Sequence, residues 1–188
     1  MYDPLAEFLG AADEGLVEYC YADAVRLAGH SCPTVAGAYL MTAKALERLY
    51  GAARPERGAI RVELRDDLAS GVTGVIAHVV GLLTGAAQAG GFKGIGGRFD
   101  RRDLLHFNAA TGGEARFVRL DTGAAVVAGF RPERVPAEPR LKALMPRVAA
   151  GGASAAEQRE FRALWQERVR RILIDHFDDP ELVALAAG

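Results

Sequence analysis

The stretch Gly29-His30-Ser31-Cys32-Pro33 constrains the chain more than any other, because it closes one helix and opens the next. Glycine supplies the left-handed residue that ends a helix, and proline fits the first helical position, where no N–H is needed. A helix is therefore predicted from Asp13 towards Gly29, with Leu16, Val17, Cys20, Ala24 and Leu27 spaced near a period of about 3.6. A second is predicted over Thr34 to Tyr50, stopped by Gly51. Its early residues Val35, Ala36 and Ala38 are small and apolar, so another backbone can approach closely.

The remaining elements follow from local pattern. Asp3-Pro4 can start a short helix ended by Gly10. Ile60 to Leu64 alternates and reads as a half-buried strand. Thr73 to Leu83 is apolar on nearly all sides and reads as a buried helix. Leu104 to Asn108, Ala115 to Leu120 and Ala124 to Phe130 are strand candidates, the last two joined by Asp121-Thr122-Gly123, which is hairpin chemistry. Pro132, Pro136 and Pro139 suggest a stiff linker. Leu141 to Ala149 reads as helical, and Ser154-Ala155-Ala156-Glu157 is a capping box opening a long amphipathic helix. Phe161, Leu164, Trp165, Val169, Ile172 and Leu173 form its apolar stripe. The expected class is α+β, with helices around a mostly antiparallel sheet. Residues 1–130 are read as the core, and 131–188 as a Pro-rich linker with a helical C-terminal extension.

The net charge of -1 gives no bulk attraction to nucleic acid or to a membrane surface. The longest weakly polar run, Gly71 to Gly85, is too short to span a bilayer. The opening MYDPLAEFLG lacks the basic, apolar and small-residue order of a signal peptide. Two cysteines, Cys20 and Cys32, are too few for a disulfide framework. A cytoplasmic protein with reduced thiols is the expectation, with a single Cys20–Cys32 bridge as the alternative.

His30 and Cys32 are the residues best suited to chemistry. If Pro33 is the first helical residue, Cys32 is the N-cap, and free N–H groups face its sulfur. Imidazole and thiolate are ligands that zinc or iron accepts. Two ligands do not close a site, so Ser70, His78, His106 or an exogenous group must complete it. The bland reading of the stretch is a helix corner with a buried cysteine. His78 reads as a core histidine, His106 as a strand residue whose face depends on register, and His176 as a solvated charge. Asp66 and Asp67 suit a solvated turn or, alternatively, ligation. The loop Gly90 to Gly97 with Arg98 lacks the pattern of a Walker loop or a dinucleotide fingerprint. It can form a backbone nest around Gly94 and Gly96 in which Lys93 and Arg98 hold an anion. A plain glycine-rich connection is the competing reading.

The run GHSCPTVAGAYLMTAKALERLYG resembles the opening motif of the FmdE-like family, named for a component of formylmethanofuran dehydrogenase. The likeness continues more weakly through IRVELRDDLASGVTGVIAHVVGLLTGAAQAGGFKG and covers roughly Tyr19 to Phe130. It implies an α+β metalloprotein, often dimeric, with His30 and Cys32 as metal ligands. The chain departs from that pattern at Thr34, where the family has glycine, and at Ser70 and Thr84-Gly85-Ala86, where relatives carry cysteines. The paired cysteines of a C-terminal zinc finger are absent. The function expected is a metal-binding homodimer holding zinc or iron at His30 and Cys32. Its Gly-rich basic loop would cover a small anionic or cofactor-like ligand. The alternatives are a carrier for haem or another metallo-cofactor, with His30 or Cys32 as axial ligand, and a non-catalytic accessory protein.

Overall fold

A computed structural model of the chain describes residues 1–188. Asp3 caps α1 (Pro4–Phe8), its carboxylate accepting the Leu5 and Ala6 N–H groups at 3.0 and 3.2 Å. A 3-10 turn over Asp13–Gly15 follows, and then extended chain leads to α2 (Tyr21–Ala28). The helix expected from Asp13 thus begins at Tyr21. The reason is that Leu16 and Val17 pair with the N-terminal segment, Val17 donating to the Met1 carbonyl at 3.0 Å. Backbone claimed by that pairing is lost to a helix.

Gly29 ends α2 in the left-handed conformation, and Cys32 caps α3 (Pro33–Tyr50) as the sequence predicts. The chain continues through β1 (Ile60–Leu64), α4 (Thr73–Thr84), β2 (Leu105–His106), β3 (Ala115–Arg119) and β4 (Ala125–Phe130). The expected proline-rich linker is shorter than its composition suggests. Pro132–Arg134 is a 3-10 turn, and Pro139 is the first residue of α5 (Pro139–Ala149). The Ser154–Glu157 capping box opens α6 (Ala155–Arg170), which runs into a wide π turn over Arg171–Asp175. The chain ends in β5 (Val183–Ala187), a strand with no clear signal in an alanine-rich tail.

The five strands form one sheet in the order β2-β1-β3-β4-β5, antiparallel except for the β1–β2 pair. The fold is α+β. Because β5 pairs with β4 from Val126 to Phe130, the segment after residue 130 returns to the same sheet as the core. Ile60, Val62, Leu64, Phe117, Val126 and Ala128 point from the sheet into the core, where they meet α3 and α4. Across the open face, the Glu63 carboxylate accepts from Arg61 and Arg116, both at 2.9 Å. The helix α4 is buried along Ile76, Ala77, Val79, Val80 and Leu83, but His78 faces solvent, which corrects its expected place in the core. No helix is long and apolar enough to cross a membrane.

A buried ionic knot fastens the N-terminus to the rest. Asp3, 5% exposed, receives Arg101 at 2.6 Å and Arg57 at 3.0 Å, joining residues that lie 98 and 54 positions away. Burial pushes the Asp3 carboxyl up. The Arg101 hydrogen bond, the Ala6 N–H and Arg57 together outweigh burial and hold it below its ordinary value. Asp3→Asn keeps the shape and the helix cap but leaves two guanidinium groups without their counter-charge. It is expected to cost about 3–5 kcal/mol in urea unfolding. Because the folded pKa is depressed, the stabilisation is complete above the ordinary value of 3.8 and fades as pH falls through the folded value. The wild-type protein should therefore lose its advantage over Asp3→Asn in strong acid, and a gap independent of pH would contradict this account.

Candidate functional site

The Gly29–Pro33 corner is held from two sides. Cys32 Sγ accepts the Val35 N–H at 3.4 Å, the capping bond that its position before Pro33 predicts. His30 Nδ1 lies 2.9 Å from the Ala28 carbonyl oxygen. A carbonyl only accepts, so Nδ1 carries the proton and the neutral ring keeps its lone pair on Nε2. The second hold comes from α6. Ser31 O accepts from Trp165 Nε1 at 3.0 Å and from Gln166 Nε2 at 3.2 Å, while the Ser31 hydroxyl donates to Gln166 Oε1 at 2.9 Å. The Tyr21 hydroxyl shares a 2.9 Å hydrogen bond with the same Ser31 hydroxyl oxygen. Burial holds Tyr21 above its ordinary value, opposed by that bond.

His30 and Cys32 line one cavity of about 630 Å³, in the size range of small-molecule sites. The cavity lies between the start of α3, the start of α4 and the inner side of α6. Met41, Val75, Ile76 and Phe130 give it apolar walls, and Glu114 and Arg168 are its acidic and basic members. Cys32 is buried at 9% exposure, whereas His30 is exposed. Glu114 Oε2 accepts the Phe130 N–H at 3.0 Å. Arg168 donates to the Val135 carbonyl at 2.7 Å and the Pro132 carbonyl at 3.0 Å. Burial, reinforced by neighbouring Arg171, pushes Arg168 below its ordinary value.

The remaining candidates lie elsewhere. Lys93, Gly94, Gly96 and Arg98 follow the far end of α4, about 18 Å along a twelve-residue helix from the end that borders the cavity. None of them lines it. Nor is the loop an open nest. Ile95 and Arg98 exchange N–H···O bonds at 2.9 and 3.0 Å across Gly96-Gly97, a tight hairpin whose two central residues both have positive φ. The amides expected to face an anion are in part spent on each other. Arg98 stacks over the Phe99 ring at 4.6 Å, and Lys93 is exposed. The loop is tied to the N-terminus through Arg101 and Asp3, so it does not cover His30 and Cys32.

Ser70, His78 and His106 do not border the cavity either, and all three are exposed. His106 belongs to a shallow depression beside Asp67 and Asn108. Asp67 is occupied by the Asn108 amide at 3.0 Å and the Ala69 N–H at 2.9 Å, and Asp66 by Arg65, as a solvated turn requires. His176 shares a hydrogen bond with Asp179 at 2.8 Å. Both cysteines are free thiols. No group of three or more His, Cys, Asp or Glu side chains is placed to hold a metal ion. Sequence reasoning missed Glu114 and Arg168. The one available signal was Arg168 beside Val169 and one turn after Trp165, at the border of the apolar stripe.

No protein-family model matches the chain, and no curated protein does. The cavity's shape rests on the contact between Gly37 and Phe130. A methyl group at Gly37 would lie 2.6 Å from the ring's Cγ, closer than any real contact. Gly37→Ala is therefore expected to destabilise the protein by about 1–3 kcal/mol in chemical denaturation, despite alanine's better helix propensity. An unchanged midpoint would mean that the ring moves aside freely.

Proposed function

We propose that the cavity beneath the Gly29–Pro33 corner is the functional site, and that the chain is an FmdE-like metal-binding protein. His30 and Cys32 would hold zinc or iron, with a small ligand or solvent completing the coordination. The observation that carries this reading is that both donors line one cavity while His30 Nδ1 is fixed on the Ala28 carbonyl. That bond leaves Nε2 as the ligand atom and orients the ring, as the outer hydrogen bond of a ligating histidine does. A nitrogen and a sulfur donor suit zinc or iron. The chain would supply two ligands, one fewer than the three protein donors of an open zinc site, and solvent or a bound ligand would fill the other positions. When bound, such an ion supplies Lewis acidity at an open position.

A second reading, a carrier for haem or another flat metallo-cofactor, is favoured by the apolar walls of Met41, Val75, Ile76 and Phe130 around the same two donors. In either case we infer a cytoplasmic homodimer. The compartment is supported by the two unpaired thiols, and the dimer by the family resemblance alone.

Zinc or iron loading separates these readings. After incubation with each metal and removal of excess by gel filtration, wild-type protein is expected to retain one ion per chain, and His30→Ala and Cys32→Ala to fall to background. Retention no higher in wild type than in the double variant would overturn the metal reading. A haem-type absorption band appearing on titration with haemin, and lost in the same variants, would select the carrier.

A further inference from the structure

Arg168 is the feature of this cavity that the metal reading does not use. We propose that the cavity takes a small monocarboxylate with an apolar body, the carboxylate received by Arg168. The inference rests on the cavity being the functional site, but it needs no metal.

Two neighbouring arginines, Arg170 at the end of α6 and Arg171 in the π turn after it, set the contrast. Arg170 is held by Glu167 at 2.8 Å and Asp175 at 2.7 Å, and Arg171 faces Glu138 at 3.7 Å. Arg168 makes no ion pair, although it is the one that lines the cavity. Its Nε and Nη2 are fixed on the Val135 and Pro132 carbonyls, so the guanidinium is rigid and Nη1 is the end left without a protein partner. Neutral carbonyls satisfy hydrogen bonds but do not cancel a charge. Burial already penalises that charge, as its lowered pKa reflects. A half-buried cation beside apolar walls, pre-set and lacking a counter-ion, is arranged to receive an anion with little reorganisation.

The other charged groups narrow the class. Glu114 is the cavity's one carboxylate; its Oε2 accepts the Phe130 N–H, and it is not paired with Arg168. Its negative charge opposes a second anionic group on the ligand. One cation and one carboxylate on the walls therefore suit a monoanion better than a phosphate dianion or a dicarboxylate. Met41, Val75, Ile76 and Phe130 offer the ligand's body hydrocarbon contact and no further hydrogen bonds.

The only tryptophan of the chain, Trp165, lies on the cavity wall and reports on occupancy. The test titrates chelator-treated protein with 3-phenylpropionate, its neutral amide and phenyl phosphate, following Trp165 fluorescence. The acid is expected to bind about tenfold more tightly than the amide, the gain of one charge-assisted contact, and more tightly than the phosphate. Arg168→Gln should abolish the preference for the acid over the amide, and Arg168→Lys should retain part of it. Equal affinities for acid and amide in the wild-type protein would overturn the proposal without need of any variant. A preference that survives Arg168→Gln, or that appears only after zinc is restored, would overturn it too and transfer the anion to the metal. Failure of metal binding with the preference intact would leave this inference standing and remove only the metal reading.

Discussion

The close approach of α3 to the sheet is the contact on which the rest of the molecule depends. At Gly37 the helix presents no side chain, and the Phe130 ring from the end of β4 fills the space. Ala36, Ala38, Leu40 and Met41 surround that contact and are 0–1% exposed. Small residues early in the helix let the backbone come near, and larger ones further along fill the space below. The same contact fixes the height of the helix N-terminus above the sheet. Cys32, as the cap of that helix, is placed with it. The thiol's position is thus a packing consequence of a glycine five residues later.

The second half of the site comes from the other end of the chain. Trp165 and Gln166 reach back across more than a hundred residues to bond the Ser31 backbone. They meet a carbonyl between the two candidate ligands, a group that no helix or strand otherwise satisfies. The path that brings α6 there continues through the π turn to β5, which closes the sheet edge beside β4. Lys44 reinforces the return by pairing with Asp178 just beyond that turn. Site and C-terminus are therefore coupled in folding, and any ligand held in the cavity draws on the docking of α6 for part of its affinity.

What was legible in the sequence was local. Cys32-Pro33 and Gly51 bound α3, alternation gives β1, Ser154 and Glu157 open α6, and each works through a hydrogen bond or side-chain pattern within a few residues. What was not legible depended on partners far away. Leu16 and Val17 have a helix-like spacing but pair with the N-terminal segment, and β5 is a strand only because the edge of β4 needs one. His78 lies in an apolar stretch yet faces solvent, since α3, α2 and β1 cover only part of α4. Periodicity reports which residues share a face but not what covers it. The pairing of His30 with Cys32 in one cavity was readable, being two residues apart on a turn. The entry of Glu114 and Arg168 into the same cavity was not, because it depends on how β3 and α6 are brought over it.

The glycine-rich loop shows why composition misleads about location. Its glycines are demanded by geometry: Gly94 has positive φ and no room for a methyl group against the Arg98 carbonyl, and Gly96 and Gly97 turn the hairpin. Two of the nearby cations are likewise used structurally, Arg101 in the knot with Asp3 and Arg98 over aromatic rings. Glycine and positive charge, which together suggest an anion site, here secure a turn to the N-terminal helix. Arg168 lines an apolar cavity without an acid partner, two residues from Arg170, which Glu167 and Asp175 neutralise. An uncompensated charge at a cavity wall is a stronger functional signal than a cluster of charges that neutralise or shield each other.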